Sequence, residues 1–230
     1  MTSISSTSDT EKVRRYYDRH TASFLSYGQG GTQGCIHRAV WGPDVKTREQ
    51  AFHYVENIIA DTLITHSMTT EATHIIDLGC GIGASLCHIA RKFPIHGTGV
   101  TLSPVQSHIA SNRIHAASLD QRIRCIEGDY SDLTLALPEA DLAYAIESFV
   151  HSPAPETFFA QCKRVVRPDG LLLICDDVLQ APTDPRATPF IERYKRGWQV
   201  HTLIERPQLK QMALEAGFKH CSTTDLTPHL

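Results

Sequence analysis

The segment that most constrains this chain is Ile75-Ile76-Asp77-Leu78-Gly79-Cys80-Gly81-Ile82-Gly83. The apolar run His74–Leu78 reads as a short strand. After the glycines, Leu86, Ile89, Ala90 and Phe93 fall on one helical face. A strand that passes through a glycine turn into a helix is a βα unit. Glycine at 79, 81 and 83 lets the backbone turn tightly and approach a ligand with no Cβ in the way. The helix start adds N–H donors and positive potential, which suit a carboxylate. Asp77, just before the turn, can accept from loop amides or meet an ammonium group. A ligand-free βα turn is the plain alternative. A dinucleotide site is the other, but it wants G-x-G-x-x-G and an acid closing the second strand. Here the glycines are one position short, and the second strand ends Gly99-Val100-Thr101-Leu102.

Strand and helix patterns alternate after Thr73. His96–Leu102 reads as a strand, and Ser103-Pro104-Val105-Gln106 as a helix start with a capping box. Further strands are expected at Arg122–Glu127, Asp141–Ile146 and Leu171–Asp176. Phe158, Cys162, Val165 and Val166 mark a helix between the last two. Gln208–Ala216 is a helix stopped by Gly217, and Phe218–Leu226 reads as one more strand. The rhythm implies an α/β fold, a doubly wound and mostly parallel sheet, whose ligands sit at the carboxyl ends of the strands. Residues 1–70 differ. A loose tail (1–8) precedes helices near Thr10–Arg19 and Lys46–Thr65, with a Gly-rich loop, Tyr27–Gly34, between them. We expect 1–70 to form a helical lid over a ligand-binding domain spanning 71–230.

The bulk properties exclude several classes. Net charge is −3, with no basic stripe for nucleic acid. No apolar run approaches membrane-spanning length, and Met1–Thr10 lacks a signal core. The seven cysteines are scattered without a C-x-x-C pair, which argues against a disulfide framework or thiolate zinc site. The thirteen histidines include no H-E-x-x-H, so no metal is expected. A cytoplasmic protein acting on a small molecule fits best.

The glycine segment resembles the cofactor motif of class I S-adenosylmethionine (SAM)-dependent methyltransferases. More narrowly, the chain resembles the sterol and isoprenoid C-methyltransferases over roughly residues 14–226, with cyclopropane fatty acid synthases as cousins. Gly99-Val100-Thr101-Leu102-Ser103-Pro104-Val105-Gln106 is similar to that subgroup's second motif. Glu127-Gly128-Asp129-Tyr130 resembles the adenine-bracketing segment, and Val165-Val166-Arg167-Pro168-Asp169-Gly170 the turn before strand five. Tyr144-Ala145-Ile146-Glu147-Ser148-Phe149-Val150-His151-Ser152-Pro153 resembles the sterol methyltransferase stretch Y-A-I-E-A-T-x-H-A-P. Tyr16-Tyr17-Asp18, Thr21 and Tyr27-Gly28-Gln29-Gly30 resemble its Y-Y-D and Y-G-W-G signature, with Gln29 in place of tryptophan.

The resemblance implies S-adenosyl-L-methionine as cofactor, surrounded by Asp77, Gly79, Cys80, Gly81, Thr101, Leu102, Gln106, Gly128, Asp129, Tyr130 and Ile146. For Gln106 the alternative is a capping side chain satisfied at its own helix end. For Tyr130 it is core packing. Glu147, His151 and Tyr16 are the expected catalytic residues. A carboxylate at Glu147 would stabilise a carbocation left when an alkene is methylated, or take the proton that restores the double bond. Aromatic faces add cation–π attraction. If a helix starts at Glu147, His151 shares its face and can relay a proton or orient it. His37, Arg38 and Trp41 are candidates for touching the acceptor, a diphosphate included, or for pairing within the lid. The expected reaction is methyl transfer to carbon of an isoprenoid or prenylated natural product. O- or N-methylation with His151 as base is the rival, and a non-enzymatic SAM- or nucleotide-binding regulatory module the outsider. Sheets of this family usually finish with an antiparallel strand for which the residues up to Leu230 leave no room. An exposed strand edge would invite homo-oligomers.

Overall fold

The central strand is the apolar run before the glycines, because only a strand covered on both faces can be apolar throughout. In the computed structural model, which describes residues 3–27, 34–180 and 183–230, β1 (His74–Leu78) lies in the middle of five strands. The others are β2 (His96–Thr101), β3 (Ile123–Glu127), β4 (Ala140–Ile146) and β5 (Val166–Cys175). Their order is β3-β2-β1-β4-β5, and every pair is parallel. The register sets Asp77 of β1 beside Gly99 of β2 and Tyr144 of β4.

Alternation along the strands feeds two cores. Ile75, Leu142 and Tyr144 point to one, which is closed by α3 (Tyr54–Thr65), α4 (Ala84–Lys92) and α5 (Pro104–Ala116) through Ile59, Leu63, Leu86, Ile89 and Ile114. Ile76, Leu78, Ala143 and Ala145 point to the other, where Phe158, Phe159, Cys162 and Val165 of α6 (Pro155–Val165) pack with Phe149. The sheet is therefore doubly wound, as the sequence implies. α7 (Thr188–Trp198) and α8 (Arg206–Glu215) follow; Leu209, Met212 and Ala213 of α8 pack partly buried against the second core.

Three expectations need correction, and one falls outside the described residues. The first helix is not limited to Thr10–Arg19 after a loose tail; α1 runs Ser3–Tyr27. No Gly or Pro interrupts that stretch, and Arg14–Glu11, Arg15–Glu11 and Arg14–Asp18 pairs lace its turns. The second helix is broken in two. α2 (Arg48–Phe52) starts on a Thr47–Gln50 capping box, and His53, at φ −94° and ψ 9°, separates it from α3. A one-residue kink leaves the apolar spacing nearly intact, so periodicity does not register it. The glycine-rich loop, apart from Tyr27 and Gly34, lies outside the described residues. Finally, Phe218–Leu226 forms no strand. The run Lys219–Asp225 is polar apart from Cys221, so it has no alternating apolar face to lay against the sheet.

Leu63 is fully buried and ties α3 to the sheet. Leu63→Ala is expected to lower unfolding stability by about 2–5 kcal/mol, measured by urea denaturation.

Candidate active site

The strand order reverses between β1 and β4, and a cleft opens there at the carboxyl ends of the strands. Its volume is about 1130 Å³, counting the part open to solvent. The glycine turn forms its floor. Gly79 and Cys80 both donate from their backbone N–H to Val100 O at 2.9 Å, fastening the turn to β2. Gly79 has φ +94°, and a Cβ there would lie 2.3 Å from Ser148 Cβ. Gly81 has φ +52°, and a Cβ there would meet nothing nearer than Ile36 Cδ1 at 3.9 Å. The first glycine is thus required by protein packing, whereas the second faces open space that a ligand can approach.

Asp77 lines the cleft beside this turn and is almost fully buried. Its Oδ2 accepts from Tyr144 Oη at 3.0 Å. Burial pushes its carboxyl up to about 7, the signature of an acid withdrawn from water with too little positive charge beside it.

The wall over β2 carries Thr101, Leu102 and Gln106. Ser103 caps α5, its Oγ accepting from Gln106 N at 3.1 Å. The reciprocal half of the expected capping box is absent, because the Gln106 side chain turns into the wall. There Thr101 Oγ1 donates to Gln106 Oε1 at 2.9 Å, and Gln106 Nε2 donates to Thr21 Oγ1 of α1 at 3.2 Å. Ser103 Oγ donates to Asp18 Oδ1 of α1 at 2.6 Å. Cys80, Tyr130 and Ile146 also line the cleft. Tyr130 Oη donates to Ser148 O at 2.6 Å and its ring packs on Phe158, so it is a core residue as well as a wall. Gly128 and Asp129 are not on the lining. Asp129 Oδ1 accepts from Ser131 N at 2.7 Å, closing its own turn, while Oδ2 accepts from Thr10 Oγ1 of α1 at 3.4 Å.

The far end of the cleft is charged. Glu147 follows β4 in a left-handed conformation, φ +47°, with a side chain 26% exposed. Its Oε1 accepts from both N and Nε of Arg38, each at 3.0 Å. Arg38 Nη2 reaches on to Asp177 Oδ1 at 2.7 Å, and Tyr194 Oη donates to Asp177 Oδ2. Asp176 is held by N–H donors from Val150 and Asp177 at 3.1 and 2.9 Å, and burial pushes its carboxyl up to about 7. No helix carries Glu147 and His151 on a shared face; a short 3₁₀ turn, Phe149–His151, brings His151 to the lining instead. His151 Nδ1 lies 3.0 Å from Gln199 O, so this nitrogen carries the proton. Nε2 then accepts from Tyr17 Oη at 2.7 Å. Burial lowers the His151 pKa, keeping the ring neutral.

Tyr16 is not part of this cleft. Neighbouring helical residues point about 100° apart, and it is Tyr17 that faces inward. Tyr16 contacts Tyr17 edge-on and packs against His20 and Trp198. Trp41 also lies elsewhere, half-exposed, its backbone N–H donating to His229 O at 2.6 Å. Asp176 and Asp177 were not among the expected site residues, although their place at the end of the fifth apolar run is the same signal that marks Glu147 at the end of the fourth.

Residues 76–174 match the methyltransferase domain family model. An O-methyltransferase of Pyrenophora dematioidea is 30% identical over 219 residues, 95% of this chain and 79% of that protein. A 24-methylenesterol C-methyltransferase 2 of Oryza sativa subsp. japonica is 25% identical, over 79% of this chain and 50% of that protein. Among solved structures, the [4+2]-cyclase SpnF superposes with a TM-score of 0.76 at 24% identity, covering 96% of this chain and 76% of the cyclase. That last likeness concerns the fold alone, and a cyclase on this scaffold shows that architecture does not name a reaction. The chain belongs to the class I SAM-dependent methyltransferases. Its cofactor is S-adenosyl-L-methionine.

The residues present fit that cofactor. A buried carboxyl with a raised pKa matches an ammonium group, and the open face of Gly81 leaves room where a Cβ would project. Thr101 and Gln106 supply hydroxyl and amide groups further along the same wall.

Asp77 gives a pH test. Its folded-state pKa, about 7, lies above the usual 3.8, so the folded chain holds a proton that the unfolded chain has lost between those values. Without cofactor, this group's contribution to stability therefore falls as pH rises from about 4 to 7 and is level above. Asp77→Asn removes the titration. The stability of the variant relative to wild type is expected to rise by about 1–4 kcal/mol between pH 4.5 and 7.5, followed by urea unfolding at each pH.

Proposed function

We propose that this methyltransferase methylates a hydroxyl oxygen of a small natural product, with His151 as the general base. The supporting observation is the fixed, neutral state of His151 on the cleft wall. Gln199 O holds the proton on Nδ1, which leaves the Nε2 lone pair directed at the Tyr17 hydroxyl. An acceptor hydroxyl arriving there takes over that hydrogen bond and gives its proton to Nε2 as its oxygen becomes nucleophilic. S-adenosyl-L-methionine, when bound, supplies the activated methyl group. On this reading Asp77 meets its ammonium, Gly79, Cys80 and Gly81 flank its carboxylate, and Thr101, Leu102 and Gln106 hold its ribose. Tyr130 and Ile146 pack on the remainder. Asp129, off the lining and bonded to Ser131 N and Thr10 Oγ1, is the acceptor for the adenine amine only once Thr10 releases Oδ2. Residues 1–70 act as a lid, with α1 excluding water from the reacting atoms.

The acceptor end carries Glu147, Asp176 and Asp177 against one guanidinium, Arg38. That balance favours a neutral acceptor over an anionic diphosphate. It also weakens Glu147 as the stabiliser of a carbocation, because Arg38 already offsets its charge. Transfer to carbon remains the second reading. It draws on Glu147 held within the cleft beside the faces of Tyr17, Phe24 and Trp198, and on the sequence stretch Tyr144–Pro153.

The two separate on variants assayed with methyl-labelled cofactor and a panel of phenolic, hydroxylated and isoprenoid acceptors. Oxygen transfer predicts a methyl ether product. It also predicts a kcat for His151→Gln about 10²–10⁴-fold lower, with cofactor affinity by calorimetry unchanged. Glu147→Gln should then act mainly on acceptor KM. A carbon-bound methyl, with turnover lost in Glu147→Gln and kept in His151→Gln, would overturn the oxygen assignment.

A further inference from the structure

Beside the glycine turn, four side chains converge on one buried carboxylate that neither the cofactor reading nor the proposed reaction uses; three of them, Cys35, His37 and Ser85, also line the cleft. Glu56, on the first turn of α3, is wholly buried. Its Oε1 lies 3.0 Å from His37 Nε2, 3.7 Å from His53 Nδ1 and 3.9 Å from Cys35 Sγ, and accepts from Ser85 Oγ at 2.9 Å. The donor atoms of Cys35, His53 and Glu56 all lie within 4.8 Å of one another. The second carboxylate oxygen, Oε2, is buried without a hydrogen-bond partner. Leaving one carboxylate oxygen unsatisfied in the interior is costly, and a cation is the partner that a carboxylate, a thiol and two imidazoles share.

We propose that Cys35, His37, His53 and Glu56 form a binding site for one divalent transition-metal ion of the zinc class. The donor set of one sulfur, two nitrogens and one oxygen is the mixture zinc accepts in four-coordinate sites. With metal–sulfur bonds near 2.3 Å and metal–nitrogen or metal–oxygen bonds near 2.0–2.1 Å, tetrahedral donors sit roughly 3.3–3.6 Å apart. The separations from Glu56 Oε1 are a few tenths of an ångström from this, and Cys35, His53 and Glu56 lie within 4.8 Å of one another, so the remaining donors draw in as the ion binds. The thiolate and the carboxylate together match the charge of a divalent ion, so the buried cluster becomes neutral overall. Without an ion, His37 Nε2 donates to Glu56 Oε1 while Nδ1 donates to Arg38 O at 3.0 Å; on metal binding Nε2 gives up its proton and Nδ1 keeps its carbonyl, the outer-shell arrangement of a histidine ligand. The break between α2 and α3 has a role here as well. It places His53 at the start of α3, three residues before Glu56. The donors come from two segments, in the order C-x-H then H-x-x-E, which is why no metal spacing stands out in the sequence. A metal here joins the Cys35–Arg38 segment to α3 and, through Ser85, to the helix that opens after the glycine turn.

The test uses the full chain, stripped with chelator and titrated with Co²⁺ as a spectroscopic stand-in, then with Zn²⁺ in competition. The expected result is one equivalent bound, a sulfur-to-cobalt charge-transfer band in the near ultraviolet, and displacement of both by zinc. Glu56→Gln and Cys35→Ser, each checked for folding by circular dichroism, should weaken binding at least 100-fold, with the charge-transfer band lost in Cys35→Ser. Cys221→Ser, away from the cluster, should leave both unchanged. Absence of stoichiometric uptake by the wild-type chain overturns the site, as does a charge-transfer band that survives Cys35→Ser or disappears in Cys221→Ser.

Discussion

The structure turns on a carboxylic acid kept from water at the point where the sheet changes direction. Asp77 sits at the reversal between β1 and β4, and Tyr144 on the neighbouring strand gives it its hydrogen bond. That bond spans the two central strands and fixes how the glycine turn leaves β1. The turn is fastened in the other direction by Val100 O. A buried acid bonded by a neutral hydroxyl alone is incompletely compensated, so the protein carries a local cost whose natural remedy is a cationic group arriving from the cleft. The core on either side is well packed and apolar, and it holds that unsatisfied acid in place.

Charge in the rest of the cleft follows a different rule. At the acceptor end Arg38 bridges Glu147 and Asp177, and Tyr194 completes the second carboxylate. This network links the segment after α1 to the ends of β4 and β5 and to α7. Glu147 adopts a left-handed backbone that costs a non-glycine residue about 1–2 kcal/mol. Its N–H bond to Cys175 O and its two bonds from Arg38 hold it there. His151, by contrast, is held by two neutral hydrogen bonds and retains a lone pair. The cleft thus has one end that lacks positive charge, one that is internally paired, and a neutral imidazole on its wall.

Much of this is legible in the residues, and the exceptions share a cause. The five strands and the helices between them follow from apolar runs and glycine punctuation, because a sheet buried on both faces leaves little freedom in where its strands lie. The glycine turn and the acid before it are visible for the same reason. Tyr16 stands in the sequence reading where Tyr17 belongs, because sequence gives a helix its spacing but not its rotation about its own axis. Gln106 looks like half of a capping box; only the nearness of Thr21 shows where its side chain goes. The kink at His53, the partnership of Arg38 with Glu147, and the cluster around Glu56 depend on segments far apart in the chain meeting in space, and no local pattern encodes them. Phe218–Leu226 forms no strand because its polar composition outweighs the usual way such sheets end.

The contacts that hold α1 across the entrance are of an unusual kind. Asp18 with Ser103, Thr21 with Gln106 and Thr10 with Asp129 join hydroxyls to carboxylates and an amide, all groups that water satisfies equally well. Only Val13 contributes a nearly fully buried aliphatic side chain from the described part of this helix. Separating the helix from the wall would trade these hydrogen bonds for hydration at small net cost, so its grip comes from Val13, from the packing of Tyr16 and Phe24 on Trp198, and from the Tyr17–His151 bond. The aromatic contacts supply the hold, and the polar pairs, each with a single match, set the register in which the helix lies on the wall.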